Sequence, residues 1–279
     1  MPTGRARAVV GVVAWHGVLL ATCLVVLVPI VFLVFGSFKT VQQFFQSPYG
    51  PPESLDFSNY AKAWSEARIA TTFPNSVVVT LSSVFFSTVL SCLAAYGLAR
   101  FPFRFRGGVR LLFVGGLVVP VQLITLPLFI LLRELGLLGT LPALIVVYSV
   151  FGIPLGVMIL VGFFATLPRD LDEAARIDGA GHLRVFLDIM LPLMRPAIAA
   201  LIILNGVWMW NDFFTALVLS TKPATHTLPV GIMSFFGTYS TEWGLIFANV
   251  TISMLPVVIA YLALSRQFIA GLTAGAVKG

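Results

Sequence analysis

Residues Pro168 to Pro196 read PRDLDEAARIDGAGHLRVFLDIMLPLMRP, the one long polar passage in an otherwise apolar chain. Five of the eleven acids lie in it (Asp170, Asp172, Glu173, Asp178 and Asp188), interleaved with Arg169, Arg176, Arg184 and Arg195. Four arginines against five acids leave a net charge of −1. An anchor for anionic lipid would instead be rich in lysine and arginine. Mixed charge on a rigid element suits a protein partner with a complementary groove.

The local spacing predicts two short helices over about 168–192. Asp170 is expected to cap the first, with Glu173 completing a variant of the capping box. Asp172 and Arg176, four apart, are expected to pair on its exposed face. Gly179 supplies a left-handed C-cap, and Gly181 is expected to keep the turn tight. Beyond it, Leu183, Phe186, Leu187 and Met190 form one apolar stripe, opposed by Arg184 and Asp188 as a second four-apart pair. Pro192 is expected to end this helix and Pro196 to start the next span.

Outward from this passage the composition changes sharply. Of 279 residues, 58% are hydrophobic and only 10% charged, with a mean hydropathy of +0.99. A soluble domain would carry roughly a quarter charged residues. The apolar runs are continuous rather than alternating, which disfavours a β-barrel. The fold class expected is an all-α polytopic membrane bundle, one domain over 1–279. Its six spans are about 11–36, 75–98, 111–132, 141–165, 197–219 and 244–264. The first run is too long for a cleavable signal segment and lacks an A-x-A site. Pro120, Gln122 and Pro127 predict a broken third span, tolerable only where its backbone faces protein or a wet cavity. Cys23 and Cys92 fall inside apolar runs and read as small buried apolar side chains. In the polar stretch after the first span, Ser58 is expected to cap a short helix with Tyr60 and Trp64 on one interfacial face.

Six spans place both termini on one side. Arg5, Arg7, Arg100, Arg104, Arg106, Arg110, Arg169, Arg176, Arg184, Arg195, Arg266 and Lys278 collect there, against Lys39, Lys62, Arg68, Arg133 and Lys222 on the other. By the positive-inside rule the termini and the charged passage are cytoplasmic. The basic pI of 9.7 therefore reflects topology, and no nucleic-acid partner is implied.

Glu173-Ala174-Ala175-Arg176-Ile177-Asp178-Gly179-Ala180, followed by Phe186, Ile189, Leu191-Pro192-Leu193 and Pro196, resembles the EAA motif of ABC-importer permeases. Asn59-Tyr60, Trp210-Asn211-Asp212-Phe213, Thr227-Leu228-Pro229-Val230 and the terminal Gly271–Gly279 are similar to the maltose-type carbohydrate-importer branch. The resemblance covers nearly the whole chain. It implies the type I ABC-importer permease fold in a bacterial cytoplasmic (inner) membrane. Implied partners are a homologous second permease subunit, two cytoplasmic ATPase subunits and an extracytoplasmic solute-binding protein. ATP and Mg would be bound by the ATPase partner: this chain has no GxxxxGK[ST] loop, since none of its four lysines follows a glycine.

The resemblance makes Glu173, Ala174, Ala175, Arg176, Asp178, Gly179 and Ala180 the ATPase-coupling residues. Asn205, Trp208, Asn211 and Asn249 are candidate cavity residues, because amides and aromatic faces suit sugar hydroxyls and CH faces. The outer loop from Thr227 to Phe236 would touch the binding protein, and the C-terminal tail would reach the ATPase interface. An ion-coupled secondary transporter is the rival reading. It would need buried ionisable relays in its spans, and only Asp212 lies well inside one, with no evident partner. No catalytic residue or His/Cys/carboxylate metal cluster is evident.

Overall fold

An apolar run without charge satisfies its backbone in lipid only by coiling, and the first helix, α1 (Thr3–Ser37), carries such a run from Gly11 to Ser37. The computed structural model describes residues 3–236 and 242–276, with side chains for 11–236 and 242–263. Two compact units result: Met1–Ile69 with Ile232–Met254, and Ala70–Gly231 with Leu255–Gly279.

In the first unit the polar stretch after α1 is folded around a buried lysine. Lys39, which the sequence places in a solvated loop, is 2% exposed. Its Nζ donates to the carbonyls of Ser47 (2.7 Å), Pro48 (3.1 Å) and Gly50 (2.6 Å). Burial pulls its pKa below the ordinary lysine value. The ammonium thus closes a proline-broken turn that has few backbone donors of its own. Lys39→Met is expected to strand these carbonyls and destabilise the unit by about 3 kcal/mol. The thermal unfolding midpoint of the purified protein should fall accordingly; an unchanged midpoint would contradict this role.

The helix α2 (Val41–Gln46) opens with a complete capping box between Thr40 and Gln43. Phe57, not Ser58, holds the cap position of α3 (Ser58–Glu66), and Asp56 before it supplies the side-chain bonds. Its carboxylate accepts from the Ser58 N–H (2.9 Å) and hydroxyl (2.9 Å). These bonds, the backbone one first, hold the Asp56 carboxyl below the usual carboxylate range. Asn59 Nδ2 donates to the carbonyls of Ser37 and Lys39 (both 2.9 Å), and the Tyr60 and Ser37 hydroxyls are 2.6 Å apart. The Asn59-Tyr60 pair therefore ties α3 to the end of α1. Trp64, on the same helix, is exposed, and Tyr60 is half-buried.

In the second unit, α4 (Ile69–Arg100) carries Ser83, Ser87 and Ser91 every four residues, all fully buried. After α5 (Arg106–Val118) and α6 (Val121–Glu134) comes α7 (Leu141–Phe164), which meets that serine row with Gly152 and Gly156. A Cβ on Gly152 would lie 3.0 Å from Ser87 Cβ, and one on Gly156 2.7 Å from Ser91 Cβ. Small residues at four-residue spacing let these backbones approach closely. Ser83 and Ser91 donate to the Ile145 and Ile153 carbonyls (3.2 and 3.3 Å).

The expected break in the third run is a bend of 97° between α5 and α6. Pro120 has no N–H and holds the preceding Val119 extended; Pro127 sits inside α6 without a break.

The charged passage holds α8 (Asp170–Ile177), α9 (His182–Arg184), a π-wound turn Val185–Met190 and α10 (Leu191–Leu193). Then comes α11 (Arg195–Asn211), packed on α7. The fifth run is not one helix. It stops at Asn211 and resumes as α12 (Phe214–Leu219), because Asp212 is extended and its carboxylate accepts from Thr215 Oγ1 (3.3 Å) and the Ala216 N–H (3.2 Å).

Asn75 Nδ2 donates to the Ala224 and His226 carbonyls (2.9 Å each), and Ser76 Oγ accepts from the Leu228 N–H (2.7 Å). These bonds pin the loop leading to α13 (Leu228–Gly231) against the start of α4. The last helix is α14 (Trp243–Ala276).

Among the described residues, four helices are long and apolar enough to cross a membrane: Gly11–Ser37, Ile69–Arg100, Leu141–Phe164 and Trp243–Ala263. If each of two bent pairs is one span the number is up to six: α5 with α6, and His182–Leu193 with α11, the latter bent by 75°. Every extended regular element among the described residues is helical, the polytopic all-α fold expected from the apolar runs. Cys92 is buried as expected, whereas Cys23 is exposed on α1.

Candidate functional site

The charged passage is anchored by its second half. In the π-wound turn the Leu191 N–H reaches the Phe186 carbonyl five residues back. Pro192, one residue on, has no N–H to offer the carbonyl four back, so a widened turn forms where an α-turn would lose a bond. The winding changes which residues face inward. Val185, Phe186 and Met190 are buried, whereas Leu183 (67%) and Leu187 (48%) are exposed. The stripe expected from α-helical spacing is therefore half right, since Leu183 and Leu187 leave it and Val185 enters. Pro192 lies within α10 rather than ending the helix, and the chain bends after it at Met194; Pro196 opens α11 as expected.

Phe186 packs on Tyr96 at 5.0 Å between ring centroids, and Tyr96 also contacts Phe164 (5.8 Å) and Phe101 (5.6 Å). This aromatic group fixes the passage to the ends of α4 and α7.

The first half is a rigid turn on that base. Gly179 has φ +80°, the left-handed cap expected from the sequence. Its N–H donates to the Arg176 carbonyl (3.0 Å), and the Ala180 N–H to the Ala175 carbonyl (2.9 Å). Gly181 has φ −72° and is not required for the turn. Asp170 is the first residue of α8 rather than its cap; Arg169 occupies the cap position with no side-chain bond.

Nor does Asp172 pair with Arg176. Asp172 Oδ2 lies 2.9 Å from Arg100 Nε, at the end of α4, and the side chains are only 16% and 9% exposed. The Arg100 guanidinium also donates to the Leu167 carbonyl (3.3 Å). Arg176 instead lies 2.8 and 2.9 Å from the two ring nitrogens of His182, across the turn. The reason is helical phase: Ala175 packs into the core, and Asp172, three residues before it, faces the bundle too. The sequence shows an arginine closing a span but not which acid it meets. The Arg184–Asp188 pair is present at 3.4 Å and largely in solvent, where it contributes little.

Of the EAA residues, Glu173, Ala174, Arg176, Asp178 and Gly179 are exposed, Ala175 is buried and Ala180 is half-buried. Ile177, 87% exposed among these charges, adds an apolar knob to the outward face.

The structure separates the four polar residues expected to line a cavity. Asn205 is buried and donates to the Gly152 carbonyl (3.2 Å) and Ser87 Oγ (3.4 Å), so it joins helices rather than facing a cavity. Asn249, in the other unit, is fully buried; its Oδ1 accepts from Ser253 Oγ (3.3 Å). Trp208 is exposed and rests on Tyr148 (5.7 Å) and Phe151 (6.4 Å). Asn211 is exposed and donates to the Val207 carbonyl (2.8 Å).

Asp212, without an evident partner in the sequence, accepts a 2.7 Å hydrogen bond from Tyr148. With its bonds to Thr215 Oγ1 and the Ala216 N–H it helps hold the first turn of α12. In the loop after α12, Leu228, Val230 and Phe235 are buried, while Met233 and Phe236 are exposed. Val277–Gly279, the last of the terminal motif, lie outside the described residues.

Comparison with known proteins agrees with this geometry. Residues 87–272 match the family described as binding-protein-dependent transport system inner membrane component. The diacetylchitobiose uptake system permease protein NgcG of Streptomyces coelicolor is 36% identical over 262 residues, covering 93% of this chain and 87% of that one. The probable starch degradation products transport system permease protein AmyC of Thermoanaerobacterium thermosulfurigenes is 33% identical over 250 residues, covering 90% and 91%. In fold, the chain is similar to a crystal structure of a bacterial ABC transporter involved in the import of the acidic polysaccharide alginate. That match has a TM-score of 0.80 at 24% identity and covers 95% of this chain and 98% of the other. These likenesses leave the ion-coupled reading without support. An anchored, charged turn at the bundle's end and a family match over most of the length have one meaning: the chain belongs to the binding-protein-dependent transport system inner membrane component family and is a multi-pass permease subunit of an ABC importer.

Proposed function

We propose that this permease carries a sugar or oligosaccharide and forms half of the pathway beside a homologous second permease subunit. Two cytoplasmic ATPase subunits bind ATP and Mg, and an extracytoplasmic solute-binding protein delivers the substrate. The outward face of the turn, Glu173, Ala174, Arg176, Asp178 and Gly179, docks on an ATPase subunit; Ala175 and Ala180 hold that face to the bundle. One observation carries this reading: a rigid turn is fixed by Arg100 and Phe186 on its inner side and left open, charged and partly apolar on its outer side. Closure of the ATPases would move the turn, and the turn its helices, as a body. The positive-inside count supports placing the turn and both termini in the cytoplasm.

The names of NgcG and AmyC support a carbohydrate substrate. Trp208 and Asn211, the exposed members of the four candidates, are the side chains proposed to meet it. The exposed Met233 and Phe236 are proposed to meet the binding protein.

Uptake of labelled oligosaccharide into vesicles holding the assembled transporter tests this reading. Uptake should require ATP and ignore an uncoupler; uptake that persists without ATP but stops with an uncoupler would overturn it. In the same assay Gly179→Val should lower uptake by about tenfold, because a β-branched residue is strained in left-handed backbone by roughly 1–2 kcal/mol. A Cβ at Gly179 meets nothing within 4 Å, so the loss would come from the turn and not from a clash. Wild-type uptake with unchanged ATPase stimulation would remove Gly179 from the coupling role.

A further inference from the structure

The run from Arg100 to Arg110 holds four arginines and no acid, and three of them converge on one cavity. The ends of α4 and α7 and the start of α5 enclose about 240 Å³, lined by Arg100, Arg106, Arg110 and, from the following loop, Arg169. Gly162 forms part of its wall, and a Cβ there would meet nothing within 4 Å. Asp172 occupies Arg100. Among the described residues, no acid pairs with Arg106, Arg110 or Arg169. Arg106 Nε is buried without a hydrogen-bond partner, and its Nη2 makes only a long 3.4 Å bond to the Ala99 carbonyl. Arg106 and Arg110 are four apart on α5 and so share a face. Several guanidinium forks around a small void, one with a buried unused donor, are matched by a compact anion with several acceptor oxygens.

We propose that this cavity binds the phosphate of an anionic phospholipid. Leu111 and Leu112, next to Arg110 on α5, are both exposed and offer apolar surface for the acyl chains beside the basic void. Basic pockets between helices on the cytoplasmic side suit such headgroups. The proposal rests on the cytoplasmic placement given above, but not on what is transported. It also differs from the charged turn itself, whose net charge of −1 does not attract anionic lipid.

The test is lipid retention by the purified, assembled transporter, read by native mass spectrometry after equilibration with dioleoyl-phosphatidylglycerol or dioleoyl-phosphatidylcholine. Phosphatidylglycerol should be retained selectively. Arg106→Gln and Arg110→Gln should each weaken it by about tenfold, the effect of losing one charged hydrogen-bonding partner. Gly162→Leu, which keeps the charge but fills the void, should weaken it comparably. Arg104→Gln should leave retention at the wild-type level, because Arg104 lies outside the cavity over the Phe105 ring. Co-purification of the second permease subunit reports that each variant has folded.

Equal retention of phosphatidylcholine would overturn the proposal, as would a loss in Arg104→Gln equal to that in Arg110→Gln. Displacement of the lipid by inorganic phosphate at equal concentration would make this a free-anion site instead. Loss of the ATPase subunits from Arg106→Gln with lipid retention unchanged would assign the cavity to an acidic segment of a protein partner. Retention is measured without transport, so its failure leaves the permease reading standing.

Discussion

Arg100→Ala is expected to abolish coupled uptake while the permease remains in the membrane. The Arg100–Asp172 pair is the one ion pair among the described residues that is largely withdrawn from solvent, with side chains 9% and 16% exposed at 2.9 Å. Removing one member of such a pair leaves the other charge poorly solvated, at a cost of about 3 kcal/mol or more. That is enough to release α8 from the end of α4, since the contact between this turn and that helix would otherwise rest on Ala175 and the Phe186 ring. ATPase binding and hydrolysis should persist, but stimulation by substrate-loaded binding protein should be lost. The check is a double-mutant cycle of Arg100→Ala with Asp172→Asn: the double variant should recover much of the activity either single change loses. Additive losses, or wild-type coupling in Arg100→Ala, would show that the pair does not hold the turn.

Gly156→Leu should prevent assembly of the second unit. A Cβ there lies 2.7 Å from Ser91 Cβ and 3.1 Å from Leu201 Cδ2, so α4 and α11 would both have to move away from α7. Overpacking of this kind costs about 3 kcal/mol, with more lost as the serine hydrogen bonds to the Ile145 and Ile153 carbonyls separate. The expected result is little folded protein in the membrane and a large fall in unfolding temperature for what is recovered. Gly97→Ala on α4 is the contrast. Its Cβ meets nothing within 4 Å, and the change should be neutral or slightly stabilising. Equal behaviour of the two variants would mean that close helix approach is not what Gly156 provides.

Much of the candidate site is legible in the amino-acid sequence. The left-handed cap at Gly179, the break at Pro120 and the membrane class each follow from one residue's backbone limits or from a run's composition. The expectations that fail share a different cause. Spacing pairs Asp172 with Arg176 because four-residue intervals rank neighbours within a helix, whereas the folded helix turns that face toward Arg100. Spacing also turns Leu183 and Leu187 inward because the stripe assumes α-winding, and Pro192 favours a wider turn. Residue type alone sends Asn205 and Asn249 to a cavity, and it does not distinguish an amide facing a pathway from one buried in helix packing. Lys39 reads as solvated because the three carbonyls that bury it lie in a loop with no periodicity to read.

By itself, the sequence determined that this chain coils through a membrane, because lipid leaves an apolar run no other way to satisfy its backbone. It also determined where the charged turn lies and where that turn reverses, because left-handed backbone at Gly179 is a local property. Only the tertiary structure decided which side of α8 is held and which is free. That choice depends on Arg100 and on the aromatic group around Tyr96, contacts made far along the chain, just as Asn205 meets Ser87 across 118 residues. Spacing within a helix specifies a face, and the partner that covers the face is chosen by packing.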